Sequence, residues 1–362
     1  MNKGLLHKEL KDWYEKNHRI LPWRETDDPY KIWISEIILQ QTRVAQGMEY
    51  YHRLITRFPD IQSLADAEED EVLLYWQGLG YYSRARNMHK AAQLMKNHEI
   101  FHQAMRLLGD KAKGDDAIRR KVKGEEIFAA LKSMPGVGDY TAGAIASFAF
   151  NLPYPALDGN VYRVLSRLYD CEIAFDTTQG KKHFRKLAED LLDRERPRLF
   201  NSAIMELGAL HCVPTAPDCH TCPLNTWCKA LANNTVELLP VRKPRPKVRD
   251  RYLEYTIYIT PERMTLIHQR KGNDIWKHLW EFVCAERTGE EAIRRKAKGE
   301  KILELTHVLS HQKLHARFVI QNVPELPEIP DTLVVSLNDL DNYAFSRLTL
   351  KAIEKLLITN HS

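Results

Sequence analysis

The hydrophobic pattern of the chain changes its period part-way along, and this change limits the fold to two different kinds of domain. Up to about residue 231, apolar residues recur with a period near 3.6, which predicts helices. The clearest helical segments are Tyr30–Gln40, Glu71–Trp76, Ser83–Lys96, Thr141–Phe150, Val161–Tyr169 and Lys181–Leu192. Beyond about residue 252 the period becomes two in Leu253–Ile259 and Leu314–Ile320, which predicts strands, and Phe345–Leu357 has the pattern of a terminal helix. We therefore predict a helical part followed by a smaller α+β domain.

A basic stretch that contains proline separates the two parts. Arg242–Arg251 holds six basic residues and one acidic residue, a net +5 that equals the net charge of the whole 362-residue chain. We interpret residues 232–251 as a linker, with contact to a phosphate backbone as the sharper alternative. No apolar run approaches a membrane span and no secretory segment opens the chain, so we expect a cytoplasmic protein.

Four cysteines lie within 17 residues, in the pattern C-x6-C-x2-C-x5-C. They are Cys212, Cys219, Cys222 and Cys228. Thiolates this close together can ligate an iron–sulfur cluster or a zinc ion, or they can form disulfides. Disulfides fit poorly in a large domain without a secretory segment. Zinc sites usually pair two tight C-x2-C units and only one is present, so the spacing favours the cluster and leaves zinc as the alternative.

Two carboxylates have opposite settings. Glu36 lies in the run Ile32–Leu39, which has almost no other charge, so we predict a buried carboxyl with a raised pKa. Asp158 directly precedes the predicted helix Val161–Tyr169, where a helix N-terminus stabilises the anion and lowers the pKa. One protonated and one ionised carboxyl suit the cleavage of a glycosidic bond.

A glycine-containing turn links two predicted helices in Leu131–Ala142, which reads LKSMPGVGDYTA. Gly136 and Gly138 allow positive φ and a close backbone approach. The second helix would then offer N–H groups at its N-terminus to a phosphate, without reading sequence. We interpret this as a helix-hairpin-helix, with an ordinary tight turn as the alternative.

These features, together with several specific strings, resemble the adenine DNA glycosylases of the MutY family over about residues 10–231. The strings are LPWR (21–24), WISE (33–36), QQT (40–42), GLGYYSR (78–84), LDGNV (157–161) and ELGA (206–209). The resemblance implies an all-α helix-hairpin-helix glycosylase fold with an iron–sulfur loop, followed by a smaller α+β Nudix-like domain. It implies an iron–sulfur domain in 1–21 and 148–231, a six-helix barrel domain in 22–147, and a lesion-recognition domain in 252–362.

The resemblance also implies a function. The family excises adenine mispaired with 8-oxoguanine or guanine, after flipping the adenine out of double-stranded DNA. Glu36 would protonate the adenine, Asp158 would stabilise the cationic sugar, and Tyr140 and Asn160 would support them. Implied DNA contacts are Arg24, Gln40, Gln41, Thr42, Leu79, Tyr81, Gly136 and Gly138. The four cysteines would hold a 4Fe-4S cluster, and the protein would act as a monomer on the nucleoid.

Several positions extend or qualify this resemblance. Related lyases of the endonuclease III type carry a lysine where this chain has Tyr140, so the resemblance implies a monofunctional glycosylase. In the C-terminal part, Ser310 and His311 match lesion-reading positions, although Leu309 replaces the usual aromatic residue. Ser202 likewise stands where many relatives have Gln or Glu near the adenine.

Two rival functions remain open at this point. One is a bifunctional glycosylase for oxidised pyrimidines, which Tyr140 opposes. The other is a non-catalytic DNA-binding protein with a redox-sensing cluster, which the pair Glu36 and Asp158 opposes. A repeated string, AIRRKVKGE at 117–125 and AIRRKAKGE at 292–300, is interpreted as two exposed charged insertions.

Overall fold

Helices make up most of the first two-thirds of the chain. A computed structural model describes residues 2–96, 117–244, 248–289 and 301–357. The helices up to the linker are α1 (Lys3–Asn17), α2 (Pro29–Leu39), α3 (Val44–Arg57), α4 (Ile61–Asp66), α5 (Glu69–Trp76), α6 (Ser83–Lys96), α7 (Ala117–Ser133), α8 (Asp139–Phe150), α9 (Gly159–Tyr169), α10 (Thr178–Leu191), α11 (Pro197–Leu210) and α12 (Lys229–Ala232). The predicted helical segments are therefore confirmed, with ends that shift by a few residues.

The chain divides into two compact units. The first comprises Met1–Gln62 and Lys90–Pro244, and the second comprises Ser63–His89 and Arg245–Ser362. A helical segment from the first part of the chain thus belongs to the same unit as the C-terminal domain. The finer division of the helical part into a barrel and an iron–sulfur domain stays a prediction.

In the first unit, a core forms where α1, α9, α10 and α11 pack together. Its buried side chains include Leu6, Leu165, Phe184 and Ile204. The helix α2 is buried on nearly all sides, which explains why its sequence is apolar all round. Helix α8 is equally buried and packs against α2. Polar residues on these two helices therefore lie in the interior.

One glycine sets the approach of α11 to α9. A Cβ atom on Gly208 would lie 2.7 Å from the Cβ of Asn160 and 2.9 Å from its carbonyl oxygen. Only glycine allows this contact, so the ELGA string places the backbone of α11 directly against Asn160.

The second unit contains a six-stranded sheet in the order β4-β5-β1-β3-β2-β6. Its strands are β1 (Arg249–Ile259), β2 (Met264–Gln269), β3 (Trp280–Arg287), β4 (Lys301–Val308), β5 (Gln312–Asn322) and β6 (Thr332–Ser336), and a helix α13 (Arg347–Leu357) follows them. The strands β1 and β5 are parallel and the other pairs are antiparallel. Tyr255 and Phe318 face each other across β1 and β5 with stacked rings, 4.5 Å between centroids. The two predicted strands and the terminal helix are thereby confirmed.

Three details differ from the expectations. The strand β1 begins at Arg249, inside the predicted linker, and Arg251 is buried and forms ion pairs with Asp274 and Glu286. Arg251 therefore stabilises the sheet and is not a solvated linker residue. The helix α13 begins after Phe345 because the Ser346 hydroxyl accepts the N–H of Thr349 and caps the helix.

The two copies of the repeated string have different outcomes. The copy at 117–125 forms the start of α7, so it is part of a helix. Its Gly124 is buried, and a Cβ atom placed on Gly124 would lie 2.9 Å from a methyl group of Leu152. The copy at 292–300 lies outside the described residues. Within the described residues, no helix combines the length and the apolar character needed to cross a membrane.

Candidate active site

Glu36 lies on α2 in the interior of the first unit. Its side chain is 2% exposed, and the Tyr140 hydroxyl donates a 2.7 Å hydrogen bond to its Oε2. Tyr140 sits in the first turn of α8, directly after the glycine turn of the hairpin. The hairpin therefore brings the phenol of Tyr140 to the carboxyl of Glu36 on α2, although the two residues are 104 positions apart in the sequence.

The surroundings of Glu36 favour its neutral form. Burial raises its pKa, and the nearby Asp158 raises it further, whereas the Arg24 guanidinium and the Tyr140 hydrogen bond oppose the shift. Burial also holds the pKa of Tyr140 well above its ordinary value, with both carboxylates adding to the shift. Tyr140 is therefore a permanent hydrogen-bond donor, and the prediction of a raised pKa for Glu36 is confirmed.

Asp158 caps the N-terminus of α9, as predicted. Its Oδ1 accepts the N–H of Val161 at 2.7 Å, and its Oδ2 accepts the amide of Asn160 at 2.8 Å. The predicted lowering of its pKa is wrong, because burial raises the pKa of Asp158 despite these donors. The sequence revealed the cap but not the depth at which the capped helix end is buried.

A buried arginine that the sequence analysis missed holds Asn160 in place. Arg163 Nη2 donates to Asn160 Oδ1 at 2.9 Å and to the carbonyl of Gly208 at 2.5 Å, and its Nε donates to the carbonyl of Cys212 at 2.7 Å. Asp158, Asn160 and Arg163 thus form one chain of hydrogen bonds that ends on the cysteine loop. The only signal in the sequence is an arginine on the same face of α9, three residues after Asn160.

Arg24 lies deeper in the protein than a residue that contacts DNA at the surface would need to lie. Its guanidinium lies 3.8 Å above the ring of Phe148 and donates to the hydroxyl of Ser202 at 3.3 Å. It is close enough to Glu36 to act on the pKa of that carboxyl. The string LPWR therefore supplies a positive charge to the carboxyl site, a role that the sequence analysis did not assign.

The remaining predicted residues of the first unit lie at two turns. Gln40 ends α2 and donates to the Thr141 hydroxyl at 3.1 Å. Gln41 is exposed at positive φ, and the N–H of Thr42 turns back to the carbonyl of Leu39. At the hairpin, Gly136 has φ +78° and Gly138 is the extended N-cap of α8, and both are exposed. The geometry is that of two exposed turns, which suits contact with a ligand outside the protein.

The four predicted metal ligands border a common cavity. Cys212, Cys219, Cys222 and Cys228 line one cavity, and none of them forms a disulfide. Arg167 reaches the edge of this cavity and donates to Cys212 Sγ at 3.4 Å. Among the described residues, no group of three or more His, Cys, Asp or Glu side chains converges closely enough to hold a metal ion.

The predicted residues of the second unit also lie on turns. Tyr81 is 48% exposed at φ +47°, and its neighbour Leu79 is buried. Ser310 and His311 are exposed at the tip between β4 and β5, where Ser310 Oγ lies 3.1 Å from His311 Nδ1. Leu309 instead packs against the core of the sheet domain, so it does not project into solvent with Ser310.

Comparison with known proteins identifies the family. Residues 34–193 match the family described as HhH-GPD superfamily base excision DNA repair protein, and residues 255–355 match a NUDIX domain. An adenine DNA glycosylase of Buchnera aphidicola subsp. Acyrthosiphon pisum (strain APS) is 32% identical over 337 residues, which cover 91% of this chain and 89% of that protein. The chain belongs to the adenine DNA glycosylase family.

Further relatives agree with this assignment. The adenine DNA glycosylase of Schizosaccharomyces pombe (strain 972 / ATCC 24843) is 30% identical, with 94% of this chain and 87% of that protein covered. A solved structure of a thermostable thymine-DNA glycosylase superposes with a TM-score of 0.50 at 24% identity, covering 64% of this chain and 97% of that chain, and shows a shared fold. The predicted family, fold class and enzyme class are confirmed, and the chain is a glycosylase of base excision repair.

Proposed function

We propose that this enzyme removes adenine paired with 8-oxoguanine or guanine in double-stranded DNA, by flipping the base and hydrolysing its glycosidic bond with acid assistance. The observation that carries the proposal is the proximity of two carboxyls, the buried Glu36 and the half-buried Asp158. Glu36 is held by Tyr140, and Asp158 is held by Asn160 and the N-terminus of α9. Most enzymes that cleave glycosidic bonds use two carboxyls held in different environments.

Of the two carboxyls, Glu36 is better suited to be the proton donor. It receives one hydroxyl donor, whereas Asp158 receives a backbone N–H on one oxygen and an amide on the other. Donors to a carboxylate favour its ionised form, so the proton that this buried pair retains belongs on Glu36. From there it would be donated to a ring nitrogen of the adenine, which turns the base into a neutral leaving group.

Asp158 would stabilise the cation that remains. As the glycosidic bond breaks, positive charge develops on the sugar, and a fixed carboxylate beside it lowers the barrier. Asn160 and Val161 fix both oxygens of Asp158 before the substrate arrives. A buried site strengthens this attraction because water screens it less.

The same site would release the base without cutting the strand. Lyase chemistry in such enzymes requires an amine that forms a Schiff base with the sugar. The hairpin instead presents the phenol of Tyr140, which donates to Glu36 and cannot form that bond. We therefore propose a monofunctional glycosylase that leaves an abasic site.

The cysteine loop is the proposed site of an iron–sulfur cluster. Four cysteines without disulfides line one cavity, and the Arg167 guanidinium at its edge is a suitable counter-charge for thiolates. Cys212, Cys219, Cys222 and Cys228 would hold the 4Fe-4S group. A bound cluster would fix the fold of the loop and take no part in breaking the glycosidic bond. Stoichiometric iron and sulfide, with broad visible absorbance, would support this assignment, and stoichiometric zinc without iron would contradict it.

The exposed turns would contact the DNA. Gln40 and Tyr81 would wedge into the duplex beside the flipped adenine, and Gly136 and Gly138 would offer backbone groups to a phosphate. Ser310 and His311, exposed and polar at the tip of a hairpin, would read the lesion. Each good polar contact with a base edge is worth about 1–3 kcal/mol of discrimination.

One set of assays tests the proposal as a whole. Full-length protein is incubated with duplexes that hold adenine opposite 8-oxoguanine, guanine or thymine, and samples are analysed with and without hot alkali. We expect fast adenine release opposite 8-oxoguanine, slower release opposite guanine, and strand breaks only after alkali. Strand breaks without alkali, together with borohydride trapping of a covalent complex, would indicate a lyase, and DNA binding without base release would indicate a non-catalytic protein.

A further inference from the structure

The turn that carries Tyr81 is fastened to the core of the C-terminal domain. Both belong to the second unit, which joins Ser63–His89 to the sheet domain. The Phe345 N–H donates to Gln77 Oε1 at 2.8 Å, and the Tyr82 hydroxyl donates to the Phe345 carbonyl at 3.2 Å. Gln77 and Tyr82, on either side of the turn, are thus hydrogen-bonded to the N–H and the carbonyl of Phe345.

The turn itself has a conformation that needs such support. Gly78 and Gly80 have φ of +95° and +77°, and Tyr81 has φ of +47°, which is rare for an aromatic residue. Backbone strain of this kind persists only where the surrounding contacts over-determine it. The contacts are therefore part of the reason why the half-exposed Tyr81 points outward from a fixed position.

Hydrogen bonds inside the turn transmit the anchor to Tyr81. The Tyr82 hydroxyl accepts the N–H of Gly78 at 3.1 Å while it donates to Phe345, so one oxygen joins the turn to the domain. The Gly80 carbonyl accepts the indole N–H of Trp76 at 3.0 Å and the Arg84 guanidinium at 3.2 Å. Gly78 and Gly80 flank the turn residue Leu79, and Gly80 directly precedes Tyr81.

The anchor is rigid on the side of the C-terminal domain. Phe345 is buried, its ring stacks on Phe282, and its backbone bridges to Trp280 of β3. The N–H of Trp280 also donates to the carbonyl of Ala344 at 2.9 Å. A displacement of Phe345 would therefore require a displacement of the sheet.

A second group of contacts ties the preceding helix to the same domain. Asp70, on α5, accepts Gln269 Nε2 at 2.9 Å and the Trp280 indole at 3.4 Å, and Glu69 contacts His278. From α6, Arg86 donates to the carbonyl of Lys277 at 2.7 Å. The contacts on both helices lie in one segment of the sheet domain, from the last residue of β2 to the first residue of β3, so the turn is held at three points.

We propose that Gln77 and Tyr82 are positioning residues that use the backbone of Phe345 to hold Tyr81 in its wedge conformation. The C-terminal domain would then contribute to lesion discrimination by two routes, directly through Ser310 and indirectly through the Tyr81 turn. This inference rests on the proposed role of Tyr81 at the DNA. It assigns no direct DNA contact to Gln77 or Tyr82.

The first test measures the turn in the absence of DNA. Amide hydrogen exchange is followed at residues 78–84 in full-length Tyr82→Phe and Gln77→Met, with Gln77→Glu as the variant that keeps the acceptor. We expect exchange at the turn to speed up about tenfold in Tyr82→Phe and Gln77→Met, since each loses hydrogen bonds of ordinary strength. Gln77→Glu and the control Tyr258→Phe should exchange like the unaltered protein. Unchanged exchange at the turn in both Tyr82→Phe and Gln77→Met would overturn the inference.

The second test asks whether Tyr82 acts through Tyr81. The ratio of adenine release opposite 8-oxoguanine to that opposite guanine is measured for Tyr82→Phe, Tyr81→Ala and the double variant. We expect Tyr82→Phe to lower the ratio about three- to tenfold alone, and to change nothing further in the Tyr81→Ala background. Additive losses would contradict positioning through Tyr81. If Tyr81→Ala alone leaves the ratio unchanged, the proposed wedge role fails, while faster exchange in the first test would still show that the anchor holds the turn.

Discussion

The carboxyl site of the first unit and the exposed turns of the second unit are built in opposite ways. Glu36 is buried, and the half-buried polar groups around it are hydrogen-bonded to one another before any substrate is present. Tyr81, Ser310 and His311 are exposed. Hydrogen bonds to the backbone of Phe345 support the Tyr81 turn, and a backbone hydrogen bond from Leu309 to Gln312 closes the turn of Ser310 and His311. The difference suggests that the chemistry depends on fixed electrostatics in a dry interior, whereas recognition depends on the shape of turns held by a rigid sheet.

The comparison predicts that single-atom changes in the buried site have the largest effects. Glu36→Gln keeps the size of the side chain and the acceptor for Tyr140 but removes the acidic proton. We expect adenine release to fall by about 10³-fold or more, in line with the upper range for general acid catalysis. Single-turnover kinetics on an adenine:8-oxoguanine duplex measures the loss, and DNA affinity should be unchanged.

The matched control for this change is Glu49→Gln, on the exposed side of α3. It should release adenine at the normal rate. A rate for Glu36→Gln within a few-fold of that control would show that the proton comes from another group.

Asp158→Asn should produce the next largest effect. Asparagine can still cap α9 through its side-chain oxygen, but the counter-charge to the cationic sugar is lost. We expect the single-turnover rate to fall by about 10²–10³-fold, the range for removal of one electrostatic stabiliser. The exposed Asp190→Asn serves as control, and equal rates for the two variants would remove Asp158 from the chemistry.

Arg163→Lys tests whether the hydrogen-bond chain behind Asp158 matters. A lysine ammonium cannot reproduce the fork that binds Asn160, Gly208 and Cys212 together. We expect the rate to fall by about 10- to 100-fold, as is typical for residues that orient a catalytic group. Circular dichroism and iron content should be followed with the rate, and Arg194→Lys at an exposed position is the control.

A normal rate for Arg163→Lys with normal iron content would mean that Asn160 is held well enough by Asp158 alone. A low rate caused by loss of iron would assign Arg163 to the loop and not to the carboxyl site.

Ser310→Ala should have the smallest effect, and it should appear only in discrimination. Loss of one exposed hydroxyl removes a hydrogen bond worth about 0.5–1.5 kcal/mol, which is roughly a three- to tenfold change in the ratio between lesion and guanine substrates. The control is Thr288→Ala, exposed at the end of β3. A slower release from every substrate alike would contradict a role in lesion reading.

Sequence analysis predicted the parts of the site that depend on local patterns. The apolar run around Glu36 predicted a buried helix and a raised pKa, and the position of Asp158 predicted an N-cap. The sign of the pKa shift at Asp158 could not be predicted, since it depends on how deeply other helices bury the end of α9. Local pattern therefore reveals hydrogen-bonding partners better than it reveals burial.

Contacts between distant parts of the chain were beyond the reach of sequence analysis. Arg163 binds two carbonyl groups from residues 45 and 49 positions away, and Tyr82 binds Phe345 across 263 residues. No period or motif encodes such pairs, because each depends on how whole elements pack. The grouping of Ser63–His89 with the sheet domain in one compact unit likewise depends on packing, which the sequence pattern does not contain.

The protonation of the two carboxyls tests the central claim most directly. Carboxyl titrations of Glu36 and Asp158 can be followed by NMR in full-length protein labelled at Glu and Asp side chains, with Glu36→Gln and Asp158→Asn used for assignment. Burial raises both pKa values, and the donors around Asp158 favour its anion, so Glu36 should hold its proton to the higher pH. Adenine release should then decline as the pH rises through the Glu36 titration. If Asp158 keeps its proton at a pH where Glu36 is already ionised, the assigned roles of the two carboxyls are contradicted.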